Sequence, residues 1–258
     1  MLRTEMRRAF CSKAFWVTFI LMLVLLERAT SFEFRFLLNR GYLSEGTWQE
    51  KFLEAAGYGG GDLVVFFCPL VVVIPYMLSY RKERDSGYRQ LMVLRASGSA
   101  YRRAKLLAVA VSGAAAVCLP FLCWIAVCFF LGTGRTDPFG NNVLNQISDN
   151  WLPLLESRQT LLVILYLVNA SLVGAVFALL GLGVSAIIRS RYLAVLFPFG
   201  FCVFSAAVLV SYDRGLNAFL LAILGMRQSD HVHIWYLSLL LFLGVGLFIG
   251  GDRHAEKA

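Results

Sequence analysis

The sequence predicts an all-α, polytopic membrane protein with six transmembrane helices. Hydrophobic residues make up 59% of the 258 residues and charged residues only 16%, whereas soluble domains are about half apolar and a quarter charged. The mean hydropathy of +0.68 agrees, and the apolar residues gather in long runs that suit a bilayer core. Most basic residues, by contrast, gather in alternate connections between the runs. These observations exclude a secreted disulfide scaffold, a disordered tail and an ordinary cytosolic enzyme.

Six apolar runs are candidates for the spans, most of them near the length of about 20 residues that a bilayer core requires. They are Ala14–Leu26, Leu63–Tyr80, Leu106–Leu131, Leu161–Ile188, Tyr192–Val210 and Ile234–Gly250. The first run is short because Glu27 and Arg28 follow it. A basic start before a short apolar run is also typical of a signal peptide, but no small-residue cleavage site follows this one. We therefore interpret it as the first span.

The basic residues set the predicted orientation. Sixteen of the 24 lysines and arginines lie in the N-terminal arm, the second connection, the fourth connection and the C-terminal tail. The positive-inside rule then places both termini in the cytoplasm, as an even number of spans requires. The net charge of +8 is accordingly explained by membrane topology, and nothing in it calls for nucleic acid.

The chain is expected to form one transmembrane domain, residues 1–258, with three recognisable accessory segments. Residues 1–13 predict an amphipathic helix at the cytoplasmic interface. Residues 27–62 predict an outer loop with short amphipathic helices, one of them opened by a capping box at Thr47–Glu50. Residues 81–105 predict a cytoplasmic coupling loop. Small residues also repeat every fourth position, at Ala170–Gly174–Ala178 and at Gly246–Gly250, which favours close helix contacts.

No catalytic or metal-binding motif stands out. The chain has no P-loop, no H-E-x-x-H and no G-x-S-x-G sequence. The short Asp230–His233 cluster could hold a metal, but alternate side chains on a helix diverge, so no metal site is expected. Asn169 is the one strongly polar residue deep in a span. It predicts either a hydrogen bond between helices or a polar position on a pathway.

The connection between the second and third spans carries the most information. It predicts a short amphipathic helix with Tyr88, Leu91, Met92 and Arg95 on one face, ended by the Ser97–Ser99 break. Apolar side chains amid mixed charges suit docking into a groove of a protein partner. The alternative is an interfacial helix that touches only lipid headgroups.

This connection resembles the ABC-2 type permease family, the membrane subunits of ATP-binding-cassette exporters. The residues that match the family's pattern after its second span are Glu83, Arg84, Gly87, Leu91, Leu94 and Lys105. Two departures are that Tyr88 replaces the usual threonine and that no proline follows Leu94. The six-span layout and the basic N-terminal helix are also similar to the family.

The resemblance implies a permease in the plasma membrane with no enzymatic activity and no cofactor of its own, because ATP is bound by a separate P-loop ATPase subunit. It further implies a second permease copy, as a homodimer or a paired permease, and outward transport by alternating access. The wall chemistry of the spans suggests an amphiphilic substrate. The residues that would contact the ATPase are Glu83, Arg84, Gly87, Tyr88, Leu91 and Met92.

Three other functions remain open from the sequence. A non-transporting membrane subunit, such as an immunity or sensor component, would have the same layout. A secondary transporter or channel would need ionisable residues at mid-membrane, and the spans have almost none. A membrane enzyme acting on lipids would need converging aspartate, histidine or serine residues, which the sequence does not assemble.

Overall fold

The computed structural model describes residues 1–40, 47–53, 56, 62–131, 158–188, 190–213, 216–223 and 230–257, and within these ranges the chain is helical with no β-strand. The α-helices are α1 (Leu2–Phe10), α2 (Lys13–Arg40), α3 (Trp48–Leu53), α4 (Asp62–Val71), α5 (Met77–Asp85), α6 (Tyr88–Ala96), α7 (Gly98–Leu131), α8 (Gln159–Ile187), α9 (Arg191–Ala207) and α10 (Asp230–Lys257). Two 3₁₀ helices, Leu209–Ser211 and Ala218–Ala222, lie between α9 and α10.

Four segments are long and apolar enough to cross a membrane. They are Gly98–Phe130, Gln159–Ile187, Arg191–Ser211 and Val232–His254. A fifth is added if α1 and the start of α2, which meet at an angle of 50°, are counted together. The prediction of an all-α protein with apolar helices able to span a membrane is therefore confirmed.

The second predicted span, Leu63–Tyr80, is not one continuous helix. It folds as α4 and α5, separated by a turn over residues 72–76. Pro75 lies in this turn, has no N–H to donate and disfavours the helical conformation of Ile74. The proline therefore explains a break that hydropathy alone does not reveal.

The helix that contains the first predicted span ends later than expected. Helix α2 continues past Glu27 and Arg28 as far as Arg40, because glutamate and arginine are good helix formers even though they end the apolar run. Much of the predicted 27–62 outer loop is therefore helical. Residues 41–46, 54–55 and 57–61 lie outside the described residues, and α3 supplies the short helix that the capping box predicts.

Helix α8 forms the centre of the bundle, and small residues bring its neighbours close. A Cβ atom on Gly174 would lie 2.8 Å from the carbonyl oxygen of Gly113 in α7, so the predicted stripe on α8 does allow a close contact. The predicted stripe on α10 is wrong, because added Cβ atoms on Gly246 and Gly250 would meet open space.

Helix α10 instead approaches α8 through Gly244 and Gly251. A Cβ atom on Gly251 would lie 2.9 Å from the Cβ atom of Ala186. Seven residues make about two helical turns, which puts Gly244 and Gly251 on one face of α10. Gly246 points about 200° away from Gly244 around the same helix. The packing face is thus the other side of α10 from the one predicted.

Candidate functional site

Five parts of the chain meet at one end of the bundle, which we call the basic end. They are α1, the end of α5 with α6, the start of α7, the turn between α8 and α9, and the end of α10. This end contains the predicted coupling loop, residues 81–105. The chain returns to it repeatedly, so residues far apart in sequence become neighbours.

Glu83, at the end of α5, lies at the centre of a buried set of charges. Its side chain is 3% exposed. Its Oε1 atom accepts hydrogen bonds from Arg8 Nη1 at 2.7 Å and from Lys105 Nζ at 2.9 Å. Its Oε2 atom accepts one from the hydroxyl of Tyr101 at 2.7 Å. Glu83 therefore joins α1, α5 and α7.

A second carboxylate, Glu5 of α1, shares the same lysine. Lys105 Nζ donates to Glu5 Oε2 at 2.9 Å, and the hydroxyl of Tyr76 donates to that oxygen at 2.7 Å. Burial alone would raise the pKa of the Glu5 carboxyl, but Lys105, Tyr76 and Arg8 hold that pKa below its usual value.

We call this set the Glu83 cluster. Its members are Glu5, Arg8, Tyr76, Glu83, Tyr101 and Lys105. It contains two carboxylates and two cations, so its formal charges balance. Balanced charge and several hydrogen bonds are what make buried ions tolerable in a protein interior.

Asp252, near the end of α10, forms a second buried cluster. Its carboxylate accepts from Arg89 Nε at 2.8 Å, from the Tyr80 hydroxyl at 2.9 Å and from Arg102 Nη1 at 3.3 Å. Arg89 also donates from Nη2 to the Asp252 carbonyl oxygen at 3.2 Å. This Asp252 cluster joins α5, α6 and α7 to α10.

Two arginines of α5 bind the end of α8. Arg81 donates to the carbonyl oxygen of Ile188 at 2.7 Å, and Arg84 donates to that of Ala186 at 3.1 Å. Basic side chains suit this position, since the last carbonyls of a helix have no partners within it. Beside them, an exposed ion pair joins Asp85 to Arg191 of α9 at 2.8 Å, and the hydrogen bond from Arg191 lowers the pKa of the Asp85 carboxyl.

Helix α6 is bounded by two residues with positive φ. Gly87 has φ 69° before it and Ser97 has φ 59° after it. This region is open to glycine but rare for other residues. The side chain of Leu94 is 83% exposed and that of Leu91 57% exposed. An apolar face therefore projects from the basic end on a helix with a sharp turn at each of its ends.

The predicted ATPase-contact residues divide between the surface and the interior. Leu91 and part of Tyr88 are exposed, and the Arg8 guanidinium lies 5.3 Å from the centre of the Tyr88 ring. Met92 packs against the core, Glu83 is buried, and Arg84 binds the end of α8. The set therefore contains residues that face outward and residues that hold the loop in place.

Sequence reasoning did not identify Glu5, Arg89 or Asp252 as members of this site. The available signal was weak, since each stands among other charged residues in its segment. Their partners lie up to 172 residues away along the chain. Only the folded structure brings these charges together.

Asn169 lies elsewhere, at the opposite end of the bundle. Its Nδ2 atom donates to the carbonyl oxygen of Leu221 at 2.9 Å, and its Oδ1 atom lies 3.0 Å from Nε2 of His233. The predicted hydrogen bond between helices is therefore present, and a role on a pathway stays a prediction. Within the described ranges, no group of three histidine, cysteine or acidic residues could hold a metal ion.

An apolar pocket of about 470 Å³ runs along α9 from Leu193 to Phe204 and reaches Ile188. Its lining is apolar apart from backbone, so it can accept hydrocarbon but offers no side chain for catalysis. The basic end, in turn, can transmit a displacement of α6 to several helices.

Comparisons with protein-family models, with curated proteins and with solved structures find no match to this chain.

Proposed function

We propose that this chain is the membrane-spanning permease subunit of an ATP-driven exporter of the ABC-2 type. A separate P-loop ATPase subunit binds and hydrolyses ATP, and a second permease copy completes the pathway. The basic end faces the cytoplasm, and helix α6 is the surface on which the ATPase subunit docks. The plasma membrane is the expected location.

The observation that carries the proposal is the construction of α6. An exposed helix with Leu91 and Leu94 on its surface offers apolar area that a protein groove can bury. The same loop is tied by buried charges to α1, α7 and α10 and by arginines to the end of α8. A force applied to α6 would therefore reach most of the bundle, as a coupling element requires.

The position of the buried charges also favours an ATP-driven mechanism over ion-coupled transport. Within the described ranges, the buried charged residues are Glu5, Glu83, Arg89, Lys105 and Asp252. All five belong to the clusters at the basic end. A secondary transporter needs ionisable groups near mid-membrane, whereas the buried charges among the described residues gather at one end of the bundle.

Six passes through the membrane are part of the proposal, and α4 with α5 would form the second. In support, Phe66 of α4 stacks on Phe219 at 5.1 Å near the opposite end of the bundle, while Glu83 of α5 lies at the basic end. The two short helices thus bridge the distance that one long helix covers elsewhere. Both termini then face the cytoplasm.

The apolar pocket along α9 supports an amphiphilic substrate. Its walls are leucine, isoleucine and phenylalanine side chains with the bare backbone of Gly200 between them. Such walls fit an acyl chain or another hydrocarbon group, while a polar headgroup would remain at the bilayer surface.

The test is purification of the tagged full-length chain from its native membranes, followed by mass spectrometry and an ATPase assay. The expected result is a P-loop ATPase in fixed proportion to the chain, with ATP hydrolysis in the purified complex. The variant Leu94→Asp should lower recovery of that subunit about 10-fold or more, because burying a leucine contributes roughly 1.5–3 kcal/mol.

Tyr212→Asp is the matched control, since Tyr212 is also 83% exposed but lies just after the 3₁₀ helix Leu209–Ser211, beyond the opposite end of α9. Recovery of the ATPase with this variant should equal that of the wild type. The proposal fails if no P-loop ATPase accompanies the wild-type chain. It also fails if both variants retain the subunit equally.

A further inference from the structure

Two first-turn residues of α6 bind helices that are distant in sequence. Tyr88 lies against Arg8 of α1, and Arg89 binds Asp252 of α10 through two nitrogen atoms. Farther along the helix, Leu91 and Leu94 are exposed. The orientation of α6 is thus set where it begins, next to the sharp turn at Gly87.

Asp252 is well placed to sense that orientation. Its side chain is 1% exposed, and it accepts hydrogen bonds from α5, α6 and α7 at once. The contact with Arg89 uses Nε toward the carboxylate and Nη2 toward the backbone carbonyl. A two-pronged arginine contact fixes angle as well as distance.

On the N-terminal side of Asp252, α10 is closely packed against α8. Gly251 touches Ala186, and Gly244 packs against the backbone of Leu179 and Leu180. These contacts have no room for an added methyl group, so α10 cannot shift toward α8 without displacing it. A displacement passed to Asp252 would therefore reach both helices.

We infer that Asp252 is the positioning residue through which the α8–α10 pair follows the orientation of the coupling helix α6. The Arg89–Asp252 contact is the link, and the Glu83 cluster separately ties the loop to α1 and α7. The link between α6 and the α8–α10 pair lies within this chain and does not depend on a partner subunit. Its use in transport rests on the proposed function.

The first experiment uses the full-length chain in lipid nanodiscs and follows hydrogen–deuterium exchange of α6 by mass spectrometry. Asp252→Asn keeps the shape of the side chain but removes its charge. Amides of residues 91–96 should exchange about 10-fold or more faster in this variant, because α6 loses its anchor. Exchange in the middle of α8 should stay as in the wild type, which shows that the bundle is folded.

Two further variants separate positioning from general damage. Arg89→Lys keeps the positive charge but loses the two-pronged geometry, so it should also speed exchange in α6. Asp252→Glu keeps the negative charge and should restore much of the protection. Asp85→Asn removes the exposed pair with Arg191 of α9 and the pair with Arg81 in the same helix. It should change α6 exchange by less than about twofold, as expected for ion pairs at the surface.

The second experiment adds the co-purified ATPase subunit and traps the complex with ATP and vanadate. In the wild type and in Asp85→Asn, trapping should change exchange in both α6 and α10. In Asp252→Asn and Arg89→Lys it should change α6 but leave α10 as in the untrapped state. A response of α10 in these two variants equal to that of the wild type overturns the inference.

The inference and the proposed function fail in different ways. If no ATPase subunit accompanies the chain, the proposed function fails, while the nanodisc experiment still decides the link between α6 and α10. If α6 exchange in both Asp252→Asn and Arg89→Lys equals that of the wild type, the inference fails whatever the partner. Docking of the ATPase on Leu94 is tested separately, by the Leu94→Asp variant.

Discussion

The two ends of the helix bundle are held together by different kinds of polar contact. At the basic end, Lys105 and Asp252 have no exposed surface and bind opposite charges. Toward the opposite end, the buried polar contacts of the described residues are neutral, such as Asn169 with the Leu221 carbonyl and the Ser205 hydroxyl accepting from the Ala218 N–H at 2.9 Å.

This difference sets the cost of losing one contact partner at each end. Removing one partner of a buried ion pair costs about 3–5 kcal/mol, because it leaves an unpaired buried charge. A neutral hydrogen bond contributes only about 0.5–1.5 kcal/mol. We therefore expect substitutions in the buried clusters of the basic end to destabilise the protein more than substitutions at the neutral contacts.

The largest expected effect is that of Lys105→Met. Methionine fills similar space, but Glu5 and Glu83 would lose the cation between them, which should cost about 3–5 kcal/mol. The unfolding temperature of the purified protein in detergent should fall on the order of 10 °C. Scanning fluorimetry at neutral pH measures it.

Lys82→Met is the control for this prediction. Lys82 is also a lysine at the basic end, in α5, but its side chain is exposed. Its replacement should change the unfolding temperature by only a degree or two, since exposed charges contribute less than about 1 kcal/mol. Equal shifts in the two variants would contradict the assignment of a buried charge cluster.

A second prediction concerns acid. The pKa of Glu5 is lowered by folding, so the stability it contributes is fully present above its ordinary pKa, near 4.5, and is lost as the pH falls through the lowered value. The unfolding temperature of the wild type should therefore drop as the pH falls below about 4.5 and through the lowered pKa of Glu5.

Glu5→Gln isolates this contribution. Glutamine has the same shape but no charge, so the variant should be less stable than the wild type at pH 7 and should lose less on acidification. The carboxyl groups outside the Glu83 cluster are common to both proteins and cancel in the difference. Parallel curves for the two proteins would argue that Glu5 is not held as a buried carboxylate.

The third prediction is a smaller effect at the opposite end. Asn169→Leu removes the hydrogen bonds to the Leu221 carbonyl and to His233, which should cost about 1–2 kcal/mol. Hydrogen exchange should rise in the 3₁₀ helix Ala218–Ala222 and stay unchanged in α6. Ser171→Ala is the control, since the hydrogen bond of Ser171 to the Leu167 carbonyl, at 2.7 Å, lies within α8.

If Asn169→Leu instead lowered stability as much as Lys105→Met, the contrast between the two ends would be lost. If it speeded exchange in α6, the opposite end would be connected to the coupling loop more directly than its neutral contacts indicate. Either result would also revive Asn169 as a functional position.

Hydropathy and charge bias predict the long apolar helices because both are local properties of the chain. The break in the second span was also predictable in principle, since Pro75 has a direct effect on the residue before it. The length of α2 could not be predicted from hydropathy. Hydropathy identifies apolar residues, whereas a helix needs only residues with helical propensity.

The site itself could be predicted only in part. The exposed Leu91 follows from the amphipathic pattern of α6. The burial of Glu83 does not, because its partners Arg8 and Lys105 lie 75 and 22 residues away. The packing face of α10 depends in the same way on which glycines meet Ala186, and sequence spacing offers Gly246–Gly250 as an equally good pair.

The smallest expected effect is that of Asp85→Asn at the basic end. The Asp85–Arg191 pair joins α5 to α9, yet the two side chains are 40% and 54% exposed. Water and salt screen such a pair, so its loss should cost less than about 1 kcal/mol and should vanish at high ionic strength.

Unfolding temperatures of Asp85→Asn and wild type at low salt and at about 1 M salt, where the Debye length is roughly 3 Å, test this. The difference between the two proteins should disappear at high salt, while the deficit of Lys105→Met should persist, because buried charges are screened much less. A large, salt-independent loss in Asp85→Asn would mean that α9 is fixed to the basic end as firmly as α10. Burial of the charges would then no longer explain which helices are linked to α6, because α9 would be linked through an exposed pair.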